Sequence, residues 1–174
     1  MVNKKITRQI HSDLVPRRVI CGVRRHIMTK EPQRLRKGKK FHREVQDEWR
    51  AAAEGEICPE RSVVKPSGRR GRVDILVDPY ELMVAVMEIK GSDWDKMTES
   101  NARRNVRRQA RQVWAYIESQ LEDGKEVCPG IVFPERPKTP GKLEFIESFF
   151  DEEGIPVVWQ DETIDERKRR ADVV

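Results

Sequence analysis

The sequence predicts an α/β domain with a mixed central sheet flanked by helices. Three observations carry this. Apolar residues recur at helical spacing over 37–54 and 98–121. Between those windows lie two apolar runs of strand length, split by Asp78-Pro79 as in an antiparallel hairpin. Later segments alternate strand and helix, so the whole order reads α-β-β-β-α-β-α-β.

The elements follow in turn. Residues 1–36 show weak periodicity and many arginines, and read as a basic arm or short helices. In KGKKFHREVQDEWRAAAE, Phe41, Val45, Trp49 and Ala52 fall on one stripe, and Gly55 offers a stop. ERSVVKPSGRRG supplies a short strand ending at Pro66-Ser67-Gly68. Stronger strands are expected at about 72–78 and 82–90. Over 98–121, Ala102, Val106, Ala110, Val113, Ile117 and Leu121 trace a helical stripe, with Thr98 or Ser100 as cap and Gly124 closing the element. VCPGIVF reads as a strand, KLEFIESFFDEE as a helix behind Pro140-Gly141, and IPVVWQ as a last strand. The folded domain is thus expected over 37–160, followed by a charged tail, 161–174, frayed or forming a final short helix.

Composition bounds the function. A chain of 174 residues, 37% charged and 37% hydrophobic, supports one domain with a modest core. The net charge of +5 is unevenly placed: residues 1–40 hold thirteen Lys/Arg against Asp13 and Glu31, and NARRNVRRQARQ adds a second basic run. Concentrated positive charge favours polyanions such as nucleic acid. Cys21, Cys58 and Cys128 are too few and too scattered for a disulfide framework or a paired-cysteine zinc site, which predicts a reducing setting, the cytoplasm. No stretch approaches a membrane span, so a soluble chain is expected.

The apolar hairpin GRVDILVDPYELMVAVMEIK carries Asp74, Glu88 and Lys90, residues that a buried strand normally excludes. Glu88 and Lys90 share one face, with Ile89 opposite. Asp74, early in the preceding antiparallel strand, comes near the end of the next. Two readings are open. One is a structural ion pair between Lys90 and an acid at the sheet edge. The other is a hard divalent cation, Mg²⁺ or Mn²⁺, joining two carboxylates that otherwise repel, beside a lysine able to serve a water or a phosphate.

GRVD followed by a strand ending in MEIK resembles the metal site of the PD-(D/E)xK nuclease superfamily, the restriction-endonuclease-like fold, whose αβββαβ core is similar to the order read above. Gly38-Lys-Lys-Phe-His42 resembles the G-x-x-x-H motif of its RecB-like branch, and Gln112-Val-Trp-Ala-Tyr116 its Q-x-x-x-Y motif. Together these motifs span residues 38–116 in the family's order. The resemblance implies a metal-dependent nuclease acting on phosphodiester bonds, in DNA rather than RNA, with a nucleic-acid-binding module lacking catalysis as the alternative. Asp74 and Glu88 are then metal ligands with His42 (alternatively Glu44), and the cofactor is Mg²⁺, with Mn²⁺ as substitute. His42 and Glu44 lie about 200° apart on a helix, so one of them faces the metal. Lys90 is implied to serve the attacking water, and Gln112 and Tyr116 to steady the lysine or a phosphate. Arg69, Arg70, Arg72, Arg104, Arg108 and Arg111 are candidates for nucleic-acid contact. The sequence departs from the family name at Val73, where a proline would precede Asp74. Three cysteines cannot supply the four-cysteine iron–sulfur cluster of some RecB-like members, so none is expected.

Overall fold

The computed structural model describes residues 31–52, 55–78, 81–163, 165, 166 and 169. Most of the segment read as a basic arm therefore lies outside the described residues. The elements are α1 (Gln33–Ala52), β1 (Ile57–Val64), β2 (Arg70–Val77), β3 (Met83–Ile89), α2 (Glu99–Leu121), β4 (Glu126–Phe133), α3 (Lys142–Glu152) and β5 (Val157–Trp159). The expected αβββαβ order is present, followed by one further helix and strand.

The first two elements start earlier than the sequence reading places them. Helix α1 starts at Gln33 rather than 37, because the Leu35 and Arg36 amides bond to the Pro32 carbonyl at 3.0 and 3.2 Å and begin the first turn. Strand β1 extends back to Ile57 despite Pro59. A proline is tolerated there because β1 is an edge strand.

The sheet order is β1-β2-β3-β4-β5. β1, β2 and β3 form an antiparallel meander, while β3–β4 and β4–β5 pair parallel. The parallel joins require crossovers, which α2 and α3 supply.

Each face of the sheet has its own core. Phe41, Val45 and Trp49 of α1 pack on Ile75, Met87, Ile89 and Val132. On the other face, Ala102, Val106, Ala110, Val113 and Ile117 of α2 meet Ile131, Phe133 and Trp159, with Ile146 and Phe150 of α3. Thr98 caps α2 by accepting from the Asn101 amide. Trp94 is 2% exposed and meets Phe133 edge-on at 5.2 Å. No helix among the described residues is long and apolar enough to cross a membrane.

The sheet loses its regularity at one level. β1 and β2 pair Pro59 with Ile75 and Arg61 with Val73, but the intervening Glu60 and Asp74 are not paired. The β2–β3 ladder runs through Ile75↔Met87 and stops short of Asp74 and Glu88. Val73 and Leu76 both pack against Tyr116, so the in–out alternation of β2 changes parity around Asp74. Glu60, at φ 56, sits in the left-handed region at the matching point of β1.

Candidate metal centre

Three strands open at this level, and α1 closes over the gap. Gly38 and His42 stand one helical turn apart, on one face of α1. A Cβ placed on Gly91, just after Lys90, would lie 3.7 Å from the Gly38 Cα, so α1 passes close to the end of β3 at its glycine. This brings His42 over Asp74, with His42 Nδ1 3.8 Å from Asp74 Oδ2. One turn further on, Gln46 Nε2 donates to the Asp74 carbonyl at 3.0 Å and to Glu60 Oε1 at 3.3 Å. A buried amide thus ties α1 to both interrupted strands.

Asp74 takes over part of the missing ladder: its Oδ2 accepts from the Ile89 amide at 2.8 Å. The same carboxylate belongs to a set in which His42, Glu60 and Asp74 each offer a ligand atom, all within 4.8 Å of one another. A nitrogen and two carboxylate oxygens at such separations suit a divalent ion, whose oxygen ligands stand about 2.0–2.6 Å from the metal.

Glu88 lies beside this set with its own partners. Its Oε1 accepts from Lys90 Nζ and from Gln112 Nε2, the latter at 2.6 Å. Gln112 Nε2 also reaches the Tyr116 hydroxyl at 3.3 Å. Glu88 Oε2 is buried with no hydrogen-bond partner among the described residues, in a residue only 1% exposed. An orphaned carboxylate oxygen is costly in a protein interior unless a cation or donor meets it.

The electrostatics agree. Burial pushes the Glu88 carboxyl up to about 7, and the neighbouring Asp74 charge adds to the rise, while Lys90 opposes it. Burial also raises Asp74, against the Ile89 amide and the charges of His42 and Lys90. Tyr116 is raised by burial as well. A centre that holds two carboxyls above their ordinary range favours a cation that relieves both.

The residues singled out in the sequence fall into three groups. His42, Asp74, Glu88, Lys90, Gln112 and Tyr116 gather at this centre, with Glu88 outside the close His42–Glu60–Asp74 set. Glu44 is exposed and pairs with Lys40 at 3.3 Å. The arginines disperse. Arg72 Nη1 meets Glu60 Oε2 at 3.1 Å, and Arg69 and Arg70 are exposed around the β1–β2 turn. Arg104 and Arg111 line a separate cleft of about 780 Å³ with Arg103 and Arg107. Arg104 and Arg108 bond to Asn101 and Asn105, one turn back on their own helix.

Sequence reasoning missed Glu60, Gln46 and Lys65. Glu60 has a readable signal: the register that pairs Val64 with Arg70 sets Glu60 opposite Asp74. Gln46 follows His42 by four residues, on the same face of a helix. Lys65 directly follows β1 and lies with its Nζ 4.4 Å above the Tyr116 ring.

No family model matches the sequence, and no curated protein matches it. Among solved structures, the chain is similar to the small subunit of the heterodimeric restriction endonuclease R.BspD6I, at 14% identity and a TM-score of 0.42. That alignment covers 70% of this chain and 63% of the other.

Proposed function

We propose that this protein is a divalent-metal-dependent nuclease of the RecB-like kind, hydrolysing phosphodiester bonds in DNA. One observation carries the reading: His42, Glu60 and Asp74 offer ligand atoms within 4.8 Å of one another at the level where the strands part. The orphaned Glu88 Oε2 and the Lys90 ammonium stand next to them. The two helix motifs support the branch, since Gly38 and His42 bring α1 onto the centre and Gln112 and Tyr116 face Glu88 from α2.

Asp74, Glu60 and His42 are the residues that would hold the ion, with Glu88 Oε2 as a further oxygen. Carboxylates and one imidazole suit Mg²⁺ or Mn²⁺. When bound, the ion neutralises phosphate charge and acidifies water. The chain's own groups do the rest. Lys90, held against Glu88 Oε1, keeps a positive charge at the rim where a phosphate and its attacking water approach. Gln112 fixes the same Glu88 oxygen and so limits the lysine's position. Burial raises the Glu88 carboxyl in the metal-free centre, so an ion at Oε2 would displace its proton.

The test is incubation of plasmid DNA with the protein in Mg²⁺ or Mn²⁺. Cleavage is expected, abolished by EDTA and reduced at least 100-fold in Asp74→Asn and Lys90→Ala. Metal-independent cleavage, or cleavage that survives both substitutions, rejects the reading.

A further inference from the structure

Lys90 is engaged with Glu88, but the centre has a second ammonium nearby. Lys65 stands at the end of β1, where the chain turns into β2. Its amide donates to the Arg69 carbonyl at 2.9 Å, and its own carbonyl accepts from Gly68 at 2.8 Å. Both backbone groups are therefore fixed by the turn, which sets the root of the side chain. The stem then leans across Gly71. A Cβ at Gly71 would come within 2.4 Å of Lys65 Cε and 2.7 Å of Tyr116 Cε1. The absent side chain leaves a slot between strand and helix in which lysine and ring pack together.

Lys65 lies at the end of a connected row: Lys65 over the Tyr116 ring at 4.4 Å, the Tyr116 hydroxyl 3.3 Å from Gln112 Nε2, and Gln112 Nε2 2.6 Å from Glu88 Oε1. Among the described residues Lys65 makes no ion pair, although its charge acts on Glu88. A cation resting on an aromatic face keeps its donors free for an anion on the open side. Arg69 and Arg70, exposed on the same hairpin, add positive charge around it.

We propose that Lys65 is a substrate-binding residue: carried on the face of Tyr116, its ammonium takes a non-bridging phosphate oxygen of the nucleic-acid backbone beside the Asp74–Glu88–Lys90 centre. This rests on the reading of the centre as nucleolytic only for the identity of the polyanion. The buried ring positions the ammonium and the ammonium positions the strand, so base identity is not read here.

The experiment measures binding of a labelled DNA oligonucleotide by fluorescence anisotropy in EDTA, across a salt series. Wild type is compared with Lys65→Gln and Lys65→Arg. Loss of one phosphate contact is expected to weaken binding about fivefold at low salt and to reduce the slope of log K against log salt by about 0.7–0.9. Lys65→Arg should restore both. Should Lys65→Gln lose its fold by circular dichroism, Lys65→Met, which keeps the stem on the ring, is read in its place. An unchanged slope with affinity within twofold of wild type overturns the proposal, as does a wild-type protein that binds no DNA. Cleavage of the same oligonucleotide in Mg²⁺ reports separately on the nuclease reading. A slope that depends on Lys65 without any cleavage retains the contact and removes the hydrolysis. Normal cleavage with an unchanged slope does the reverse.

Discussion

At the scale of single residues, the centre is built from groups that the fold leaves short of partners. Glu88 is the clearest case, with one oxygen bonded twice and the other orphaned. Its carboxyl rises from 4.5 to about 7 on folding, so between those values the folded protein binds more protons than the unfolded chain. Stability of the metal-free protein must therefore fall as pH rises through this window, by on the order of 3 kcal/mol. The raised Asp74 adds in the same direction. Thermal unfolding in EDTA at pH 5 and pH 8 should show the loss, and Glu88→Gln should flatten the profile. Glu60 offers a second test. Its φ of 56 costs a non-glycine residue about 1–2 kcal/mol. Glu60→Gly removes that cost together with a candidate ligand. The relieved strain opposes the loss of the bonds to Gln46 and Arg72, so stability should change by no more than about 1 kcal/mol, whereas Mn²⁺ affinity by calorimetry should drop at least tenfold. Unchanged Mn²⁺ affinity would take Glu60 out of the metal set. The sequence could reveal Asp74, Glu88 and Lys90 because polar residues inside an apolar run stand out. Glu60 did not stand out, since ICPERSVV carries charge throughout and only the register against β2 gives that acid a meaning.

At the scale of elements, α1 and α2 cover opposite faces of the sheet, and each delivers one group of residues to the gap. The stripes Phe41–Val45–Trp49 and Ala102–Val106–Ala110–Val113 were legible because period alone fixes which side of a helix is buried. Where the sheet breaks was not legible. Strand alternation predicts an unbroken pleat, and the parity change at Asp74 stands opposite Glu60, which in another strand adopts a conformation that its residue type does not favour. The arginines of α2 show the same limit. Their positions on the helix follow from spacing, yet whether they meet the centre depends on flanks that spacing does not resolve. The contact between β2 and α2 gives a test at this scale. Gly71→Ala directs a methyl group at the Lys65 stem and the Tyr116 ring. The lysine can swing aside, but the ring is packed with Val73, Leu76, Val84 and Val86 and cannot. Denaturant unfolding should show a loss of about 1–3 kcal/mol. A neutral substitution would mean that the slot is wider than the packing indicates.

At the scale of the whole molecule, the charge is divided. The chain is positive overall at +5, while the level where the strands part gathers His42, Glu60, Asp74 and Glu88 around one gap. Two faces of core are joined by a sheet that is discontinuous at that gap, so the same ion that relieves the carboxylates should also tie α1, β1 and β2 together. A ligand that binds only the folded state stabilises it by mass action, by about 2.7 kcal/mol at a hundred times its dissociation constant. For a domain of this size that corresponds to a rise in Tm of about 5–10 °C. Mn²⁺ added to the metal-free protein at pH 8 should produce this rise in a saturable manner, and EDTA should reverse it. At pH 5 the rise should be smaller, because Glu88 is then protonated and the ion must displace its proton. Asp74→Asn should remove most of the rise at both pH values, since Asp74 is the residue common to the close ligand set and to the Ile89 amide. A rise that grows without saturation, is equal at both pH values and survives Asp74→Asn belongs to scattered surface carboxylates, and the centre then holds no ion.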